Sequence, residues 1–271
     1  MIDQIGFWGM GLHSGQPCSV TLTREPGPVT LSRGGRRYTR DELWVEFAHY
    51  GVRVGGEGGF RLDLVEHLFG ACAGLGLQHD LSIVASGEEI PLLDGGAGDF
   101  GRALMALSIP PRPPRLTVVR TGELVVEESR YVFAPAAAPS VEVEVAFAPF
   151  GVQSAAWDGT AASFLAEIAD ARTFGYRHQA TELRALGRAH SVNPRAVIVL
   201  ESDGRVMPPG QAPQGPELAR HKLLDLLGDL YLYGGPPRGS IRAYCPGHQR
   251  NHRALCEGLA AGLLEWRSPA A

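Results

Sequence analysis

The sequence predicts an α+β protein made of two domains, each a two-layer α/β sandwich. Alternating apolar residues predict strands in both halves of the chain, and longer apolar segments predict about two helices in each half. The proline-rich segment "SIPPRPPRL", Ser108 to Leu116, lies between the halves. It has four prolines in five residues, which excludes a helix or a central strand. We therefore predict an N-terminal domain at residues 1–109 and a C-terminal domain at residues 115–271.

The elements of the N-terminal half follow from these patterns in chain order. They are a strand "CSVTLTRE" (18–25), a helix "LDLVEHLFGACAGLGL" (Leu62 to Leu77), a strand "HDLSIVAS" (79–86), a loop and turn "EEIPLLDGG" (88–96) and a helix "GDFGRALMALS" (98–108). The glycine-rich "GVRVGGEGGF" (51–60) is interpreted as a flexible turn or hairpin. It lacks both the lysine and the strand–loop–helix setting of a phosphate-binding loop.

The C-terminal half begins with strands and ends with helices. We predict strands "RLTVVR" (115–120), "GELVVEE" (122–128) and "VEVEVAFAP" (141–149), a helix-like "SFLAEIADARTF" (163–174), a buried strand "RAVIVLE" (195–201), a leucine-rich helix from residue 220, a strand "GSIRAYC" (239–245) and a closing helix "RNHRALCEGLAAGLLEWR" (250–267). Strands and helices thus occur in both halves, although the two sequences show no close repeat.

Composition excludes several classes of function. A hydrophobic content of 44% is that of a globular protein, and a net charge of −4 argues against nucleic-acid binding through a basic surface. The sequence contains no run of about 18 apolar residues, so we expect no stable membrane insertion. The N-terminus lacks a signal-peptide pattern, and the four cysteines form no C-x-x-C pair. We expect a cytoplasmic protein, with a monomer as the default.

The leucine-rich helix carries a polar stripe. His221, Asp225 and Asp229 are four residues apart and lie on one face of a helix that is otherwise mostly leucine. Charged groups in a buried helix are costly unless they are paired or bind a metal. One interpretation is an ordinary hydrogen bond between His221 and Asp225 at the edge of the core. The other is half of a metal site.

The N-terminal half offers a matching pair, Glu66 and His67, in "VEHL". Alone, this pair is most simply a surface Glu beside an edge His. Together, however, His67, His221 and Asp225 supply two imidazoles and one carboxylate. This is the donor set of a catalytic zinc site with an open fourth position. Glu66 is then a spare carboxylate placed as a general base. The same ligands also suit iron(II).

His248, in "YCPGHQRNH", is a candidate for a second proton-transfer group, which Asp229 could orient or charge. The remaining histidines are interpreted as surface or edge residues; among them are His49, His79, His178 and His252.

Several stretches resemble one family, the zinc-dependent UDP-3-O-acyl-N-acetylglucosamine deacetylases (LpxC) of lipid A biosynthesis. The matching stretches occur in the family's order and are "GMGLHSG", "VEHLFGACAGLGL", "EIPLLDGGA", "IADARTFGY", "RHKLLDLLGDLYLYGG" and "AYCPGH". The resemblance covers most of the chain. It implies two α+β domains whose helices face each other around a zinc ion, and removal of an N-acetyl group from an acylated, nucleotide-linked amino sugar.

The resemblance also implies a role for each site residue. His67, His221 and Asp225 would bind Zn²⁺, and Glu66 would be the general base. His248 would be protonated and would stabilise the oxyanion or donate to the leaving amine, with Asp229 supporting its charge. Thr173 would donate a hydrogen bond to the tetrahedral intermediate, and Phe174 and Lys222 would contact the substrate. His13 would be structural or would line the entrance.

The sequence departs from the family at positions that concern the substrate. Cys245 stands where a basic residue usually helps to hold the nucleotide diphosphate, with Arg250 as a candidate to compensate. "HSVNPRA" (His190 to Ala196) replaces a stretch that helps to form the substrate site. Two alternatives therefore stay open: a paralogue acting on a different N-acetylated amino sugar or small metabolite, and a metal- or ligand-binding protein without turnover. The acyl-chain length is not readable.

Overall fold

The computed structural model, which describes residues 2–48 and 50–267, confirms a mixed α and β architecture. The strands are β1 (Gln4–Met10), β2 (Pro17–Pro28), β3 (Thr30–Arg33), β4 (Arg36–Thr39), β5 (Trp44–Ala48), β6 (Gly51–Gly56), β7 (Phe60–Asp63), β8 (His79–Ala85), β9 (Leu116–Val118), β10 (Gly122–Val126), β11 (Ser129–Ala134), β12 (Pro139–Phe147), β13 (Gly151–Trp157), β14 (Thr173–Tyr176), β15 (Val197–Leu200), β16 (Val206–Met207), β17 (Gly239–Tyr244) and β18 (Leu264–Trp266). The helices are α1 (Glu66–Gly74), α2 (Gly98–Ala106), α3 (Ala161–Ser163, continued by a π-helical turn, Phe164–Ile168), α4 (Arg177–Ala185), α5 (Glu217–Tyr231) and α6 (His248–Ala260). His49, one of the histidines interpreted as peripheral, lies outside the described residues.

Each half of the chain builds its own sheets. The larger N-terminal sheet has the order β1-β2-β8-β3-β4, and the larger C-terminal sheet has the order β10-β11-β17-β12-β13. Strand β2 shows why these segments form half-buried strands, because Cys18, Val20 and Leu22 alternate with more exposed residues. The described strands before and after the proline-rich segment share no sheet.

Helices α1 and α5 meet between the two halves and carry the site residues. Both helices are almost entirely buried, and their leucines and alanines join one hydrophobic core with residues of both halves. Helix α5 begins after Pro216, which cannot donate a backbone hydrogen bond, and Gly234, with φ of +86°, follows its end. None of the described helices is both long and apolar enough to cross a bilayer.

The predicted helix at Leu62 to Leu77 is wrong at its start. Residues Phe60–Asp63 form β7, in which Phe60 and Leu62 are buried, and Arg61 between them is exposed. Leu64 then has φ of +59°, which a helix interior does not accept. The helix therefore starts at Glu66, and the glycine-rich segment before it forms a hairpin, β6 and β7, in a sheet with β5.

The C-terminal half also differs from the prediction: strands β11, β13 and β16 were not predicted, and three further segments differ as follows. The helix-like segment at 163–174 is helical only to Ile168, and Thr173 begins β14 instead. Helix α4 was not predicted, and its residues are mostly exposed. The closing helix ends at Ala260, because Gly262 adopts φ of +65° and the chain continues as the short strand β18.

Candidate metal and active site

Close backbone approach brings α1 and α5 together, and glycine makes it possible. A Cβ atom added to Gly228 of α5 would lie 2.1 Å from the carbonyl oxygen of Glu66, and one on Gly70 of α1 would lie 2.5 Å from the Leu224 side chain. A side chain at Gly228 would collide with the backbone of Glu66, and one at Gly70 would displace the Leu224 side chain. The two glycines therefore hold the polar face of α5 against the start of α1.

This contact brings His67, His221 and Asp225 together. One donor atom from each lies within 4.8 Å of the others, and all three residues are buried. The Asp225 Oδ1 atom is 3.4 Å from His221 Nε2 and 3.8 Å from His67 Nε2. The structure thus assembles, from both halves of the chain, the three residues that the sequence predicts as ligands.

The donor set fits a metal ion. His221 Nδ1 lies 3.0 Å from the carbonyl oxygen of Ala171, so the Nδ1–H donates to that oxygen and the lone pair of Nε2 faces the cluster. Asp225 Oδ1 is buried and has no hydrogen-bond partner among the described residues, which is costly for a carboxylate. Nitrogen and oxygen ligands of a tetrahedral zinc ion, at about 2.0 to 2.1 Å, lie about 3.3 Å apart, close to the separations seen here.

The electrostatics of the cluster also suit a cation. Burial, followed by the neighbouring His221, lowers the pKa of His67 to about 3, and burial lowers the pKa of His221 as well. Burial opposes ionisation of Asp225, but His221 and Lys222 outweigh it and hold the pKa of this carboxyl well below its usual range. Neutral imidazoles and an ionised carboxylate are the forms that bind metals.

Glu66 occupies the position expected of a base. Its Oε2 accepts a hydrogen bond from the backbone N–H of Val52 at 3.1 Å, and its side chain lines the same cavity as the metal cluster. Burial raises the pKa of Glu66 to about 7, against an opposing effect of His248. A carboxylate with a pKa near neutrality is suited to taking up a proton in one step and releasing it later.

Half-buried His248 and buried Asp229 form an ion pair beside the same cavity. His248 Nδ1 lies 3.0 and 3.1 Å from the two oxygens of Asp229, while its Nε2 is 3.8 Å from Asp225 Oδ2. Burial disfavours the imidazolium, but Asp229 and then Asp225 outweigh it and raise the pKa of His248 to about 9. His248 is therefore protonated at neutral pH, with its free Nε2–H facing the cavity.

The three remaining predicted residues lie around this centre. Lys222, the chain's only lysine, donates from Nζ to Asp225 Oδ2 at 2.7 Å and lies 5.3 Å from the centroid of the Phe174 ring. Thr173 and Phe174 begin β14, which is fixed by a bond from Thr173 N–H to the carbonyl oxygen of Gly95 at 2.7 Å. The neighbouring Arg172 pairs with Glu217 at 2.8 Å and ties β14 to the start of α5.

Two cavities meet at this site. The smaller, of about 100 Å³, is lined by every predicted site residue except Asp229, which lies beneath His248. The larger, of about 630 Å³, shares Tyr50, Lys222 and His248 with the smaller one and extends over the start of α6 and the turn between β10 and β11. A small reacting group can therefore lie at the cluster while the rest of a larger molecule occupies the outer cavity.

Sequence reasoning missed several residues of the site. Tyr50 borders both cavities, and Leu12, Leu64 and Leu92 complete the apolar wall of the smaller one. His252, interpreted as peripheral, is in fact buried with its Nε2 at 3.3 Å from Asp229 Oδ1. The sequence placed His252 four residues after His248, but the predicted closing helix began at residue 250 and so did not put the two histidines on one helical face.

Comparison with known proteins agrees with this geometry. The family model for the LpxC UDP-3-O-acyl N-acetylglycosamine deacetylases matches residues 1–260. A UDP-3-O-acyl-N-acetylglucosamine deacetylase of Phenylobacterium zucineum is 33% identical over 273 residues, covering 96% of this chain and 92% of that protein. The protein of the same name from Synechocystis is 34% identical over 270 residues, covering 93% of this chain and 94% of that protein.

Proposed function

The chain belongs to the LpxC family of UDP-3-O-acyl-N-acetylglucosamine deacetylases and is therefore a deacetylase; we propose that it hydrolyses the N-acetyl group of UDP-3-O-acyl-N-acetylglucosamine, in lipid A biosynthesis, with a zinc ion held by His67, His221 and Asp225. The observation that carries the proposal is the convergence of this cluster with Glu66 and His248 on one small cavity. A base and an acid beside a metal cluster are the proton-transfer groups that suit amide hydrolysis.

When bound, the ion would supply Lewis acidity, which polarises a carbonyl group and makes water more acidic. Glu66 takes a proton from the water molecule whose oxygen attacks the amide carbon. His248 donates a proton from Nε2 to the amine nitrogen, so that the carbon–nitrogen bond breaks to give acetate and a free amino sugar. Asp229 stabilises the imidazolium form of His248 through the contact at Nδ1.

Thr173 is proposed to donate its hydroxyl hydrogen to the oxygen of the tetrahedral intermediate. Phe174 and Lys222 would contact the substrate at the junction of the two cavities. All of these residues come from one chain, so a monomer is sufficient for activity. We also propose that the protein acts in the cytoplasm, which is consistent with a nucleotide-linked substrate.

A second candidate is deacetylation of a different N-acetylated amino sugar. The observation that favours it is the outer cavity, which has Cys245 at the position of the family's basic residue and also carries Glu127 and Glu128. Arg250, the candidate to compensate, is already paired with Glu128. Acidic groups at this place disfavour a diphosphate, although they leave the chemistry of the inner cavity unchanged.

The test is acetate release by purified, zinc-loaded protein from UDP-3-O-(3-hydroxyacyl)-N-acetylglucosamine and, separately, from N-acetylated amino sugars without the nucleotide. Hydrolysis of the nucleotide substrate that is lost in Glu66→Ala supports the proposal. Hydrolysis restricted to the other sugars would replace it with the second candidate.

A further inference from the structure

His252 lies in a buried position that the proposed chemistry does not explain. It is 2% exposed, and it lies on α6 one turn after His248. Its Nε2 is 3.3 Å from Asp229 Oδ1, and the centroid of its ring lies 5.6 Å from that of the Tyr233 ring. The imidazole therefore fills the space between the carboxylate that supports His248 and an aromatic wall.

The face of α6 that meets α5 presents three side chains to this single carboxylate. His248, Asn251 and His252 are spaced by three and four residues, so they lie on one face of the helix. Asn251 donates to Asp229 Oδ2 at 2.7 Å, and its own oxygen accepts from Tyr131 at 2.6 Å. His252 contacts the other oxygen, Oδ1.

The two contacts hold the orientation of the Asp229 carboxylate. This group is fully buried, so it has no water on its surface to replace a lost donor. Burial opposes its ionisation, but His248 and then His252 lower the pKa of Asp229 to about 2. With Asn251 on Oδ2 and His252 on Oδ1, both oxygens stay close to Nδ1 of His248.

Building on the proposed function, we propose that His252 is a positioning residue for the reaction: it fixes the Asp229 carboxylate against His248 and thereby orients the imidazole whose Nε2 faces the substrate. It does not touch the substrate or the metal cluster. Its loss acts on the proton-transfer step, so kcat falls while KM and metal content stay the same.

The variants that test this differ in where the side chain places its N–H donor. A glutamine amide takes the place of an imidazole Nε2, whereas an asparagine amide takes that of Nδ1 and does not reach Asp229. We expect His252→Asn to lower kcat about tenfold, the lower end of the range for residues that orient a catalytic group, and His252→Gln to recover most of the loss. His79→Leu is the matched control. His79 also contacts a carboxylate, with its Nδ1 2.9 Å from Asp80 Oδ1, but it is not one of the site residues.

A double-mutant cycle shows whether His252 acts through Asp229. In an Asp229→Asn background, His252→Asn should have no further effect on kcat. If the two losses multiply fully, or if asparagine and glutamine behave alike at position 252, the proposal is overturned.

A spectroscopic measurement keeps this inference separate from the proposed substrate. Long-range ¹H–¹⁵N spectra of the imidazoles, with His248 assigned from His248→Gln, should show the His248 Nδ1 signal shifted in His252→Asn and restored in His252→Gln. An unchanged His248 signal in His252→Asn overturns the inference even if the enzyme is active. Shifted spectra with no hydrolysis of the nucleotide substrate would instead count against the proposed function alone.

Discussion

At the scale of single residues, neighbouring charges separate the roles of Glu66 and Asp225, because both carboxylates are buried. Both carboxylates lie in one cavity, yet burial raises the pKa of Glu66 to about 7, while the surrounding cationic and imidazole groups hold the pKa of Asp225 low. One carboxylate can therefore exchange a proton near neutral pH, and the other stays ionised as a ligand.

The pH dependence of the reaction follows from Glu66 and His248. Glu66 must be ionised to act as a base, so kcat/KM should rise as pH increases through about 7. His248 must be protonated to act as an acid, so the rate should fall as pH increases through about 9. A pH–rate profile that extends below the lower and above the higher of these two pKa values should be bell-shaped. In His248→Gln the remaining activity should lose its alkaline limb, and a limb that persists would assign it to another group.

The clustering of His67, His221 and Asp225 was predictable from the sequence, but the surroundings of Asp229 were not. The spacing of His221 and Asp225 is local and can be recognised in the sequence, since helix geometry alone places them on one face. The burial of His252 depends on how α6 packs against α5, and no local pattern records that packing. The interpretation of His252 as peripheral was wrong for this reason.

At the scale of elements, the crossing of α1 and α5 determines the geometry of the site. Gly228→Ala would put a methyl group against the backbone of Glu66, so the helices must separate. Overpacking of this kind costs about 1 to 3 kcal/mol. We expect a lower midpoint in urea unfolding together with a large loss of kcat, because Glu66 and His67 move relative to α5.

Gly262→Ala provides the comparison for this prediction. Gly262 has open space around it, although its φ of +65° makes alanine strained. It should therefore lose stability through backbone strain but keep its kcat. Equal kcat in Gly228→Ala and the wild type would contradict the role assigned to the helix crossing.

Two element boundaries show, in physical terms, why the sequence did not predict where each element ends. The apolar run from Leu62 looks continuous with the helix after it, and only the positive φ of Leu64 separates strand from helix. Likewise, the apolar residues after Gly262 resemble a further helical turn but pair with β9. In both places a backbone conformation, and not a change of composition, ends the element.

At the scale of the whole molecule, the metal cluster joins the two halves of the chain. His67 comes from the N-terminal half, and His221 and Asp225 come from the C-terminal half, with the shared core around them. The division into domains at 1–109 and 115–271 remains a proposal. A ligand that bridges both halves should stabilise the folded chain as a unit.

Removal of the metal should therefore lower the thermal stability of the whole chain. An ion present at about a thousand times its Kd adds about 4 kcal/mol, which corresponds to a Tm change of about 5 to 10 °C for a protein of this size. Differential scanning calorimetry with and without a chelator measures the change. The Asp225→Ala variant should show almost no response to the chelator, and a full response in that variant would place the ion elsewhere.

The most direct test of the central claim is the zinc content per chain, measured by mass spectrometry on the wild type, Asp225→Ala and Glu66→Gln, together with the rate of acetate release. We expect one ion per chain in the wild type and in Glu66→Gln, little or none in Asp225→Ala, and turnover in the wild type alone. Stoichiometric zinc in Asp225→Ala, or undiminished turnover in Glu66→Gln, would contradict the assignment of ligand and base on which the account depends.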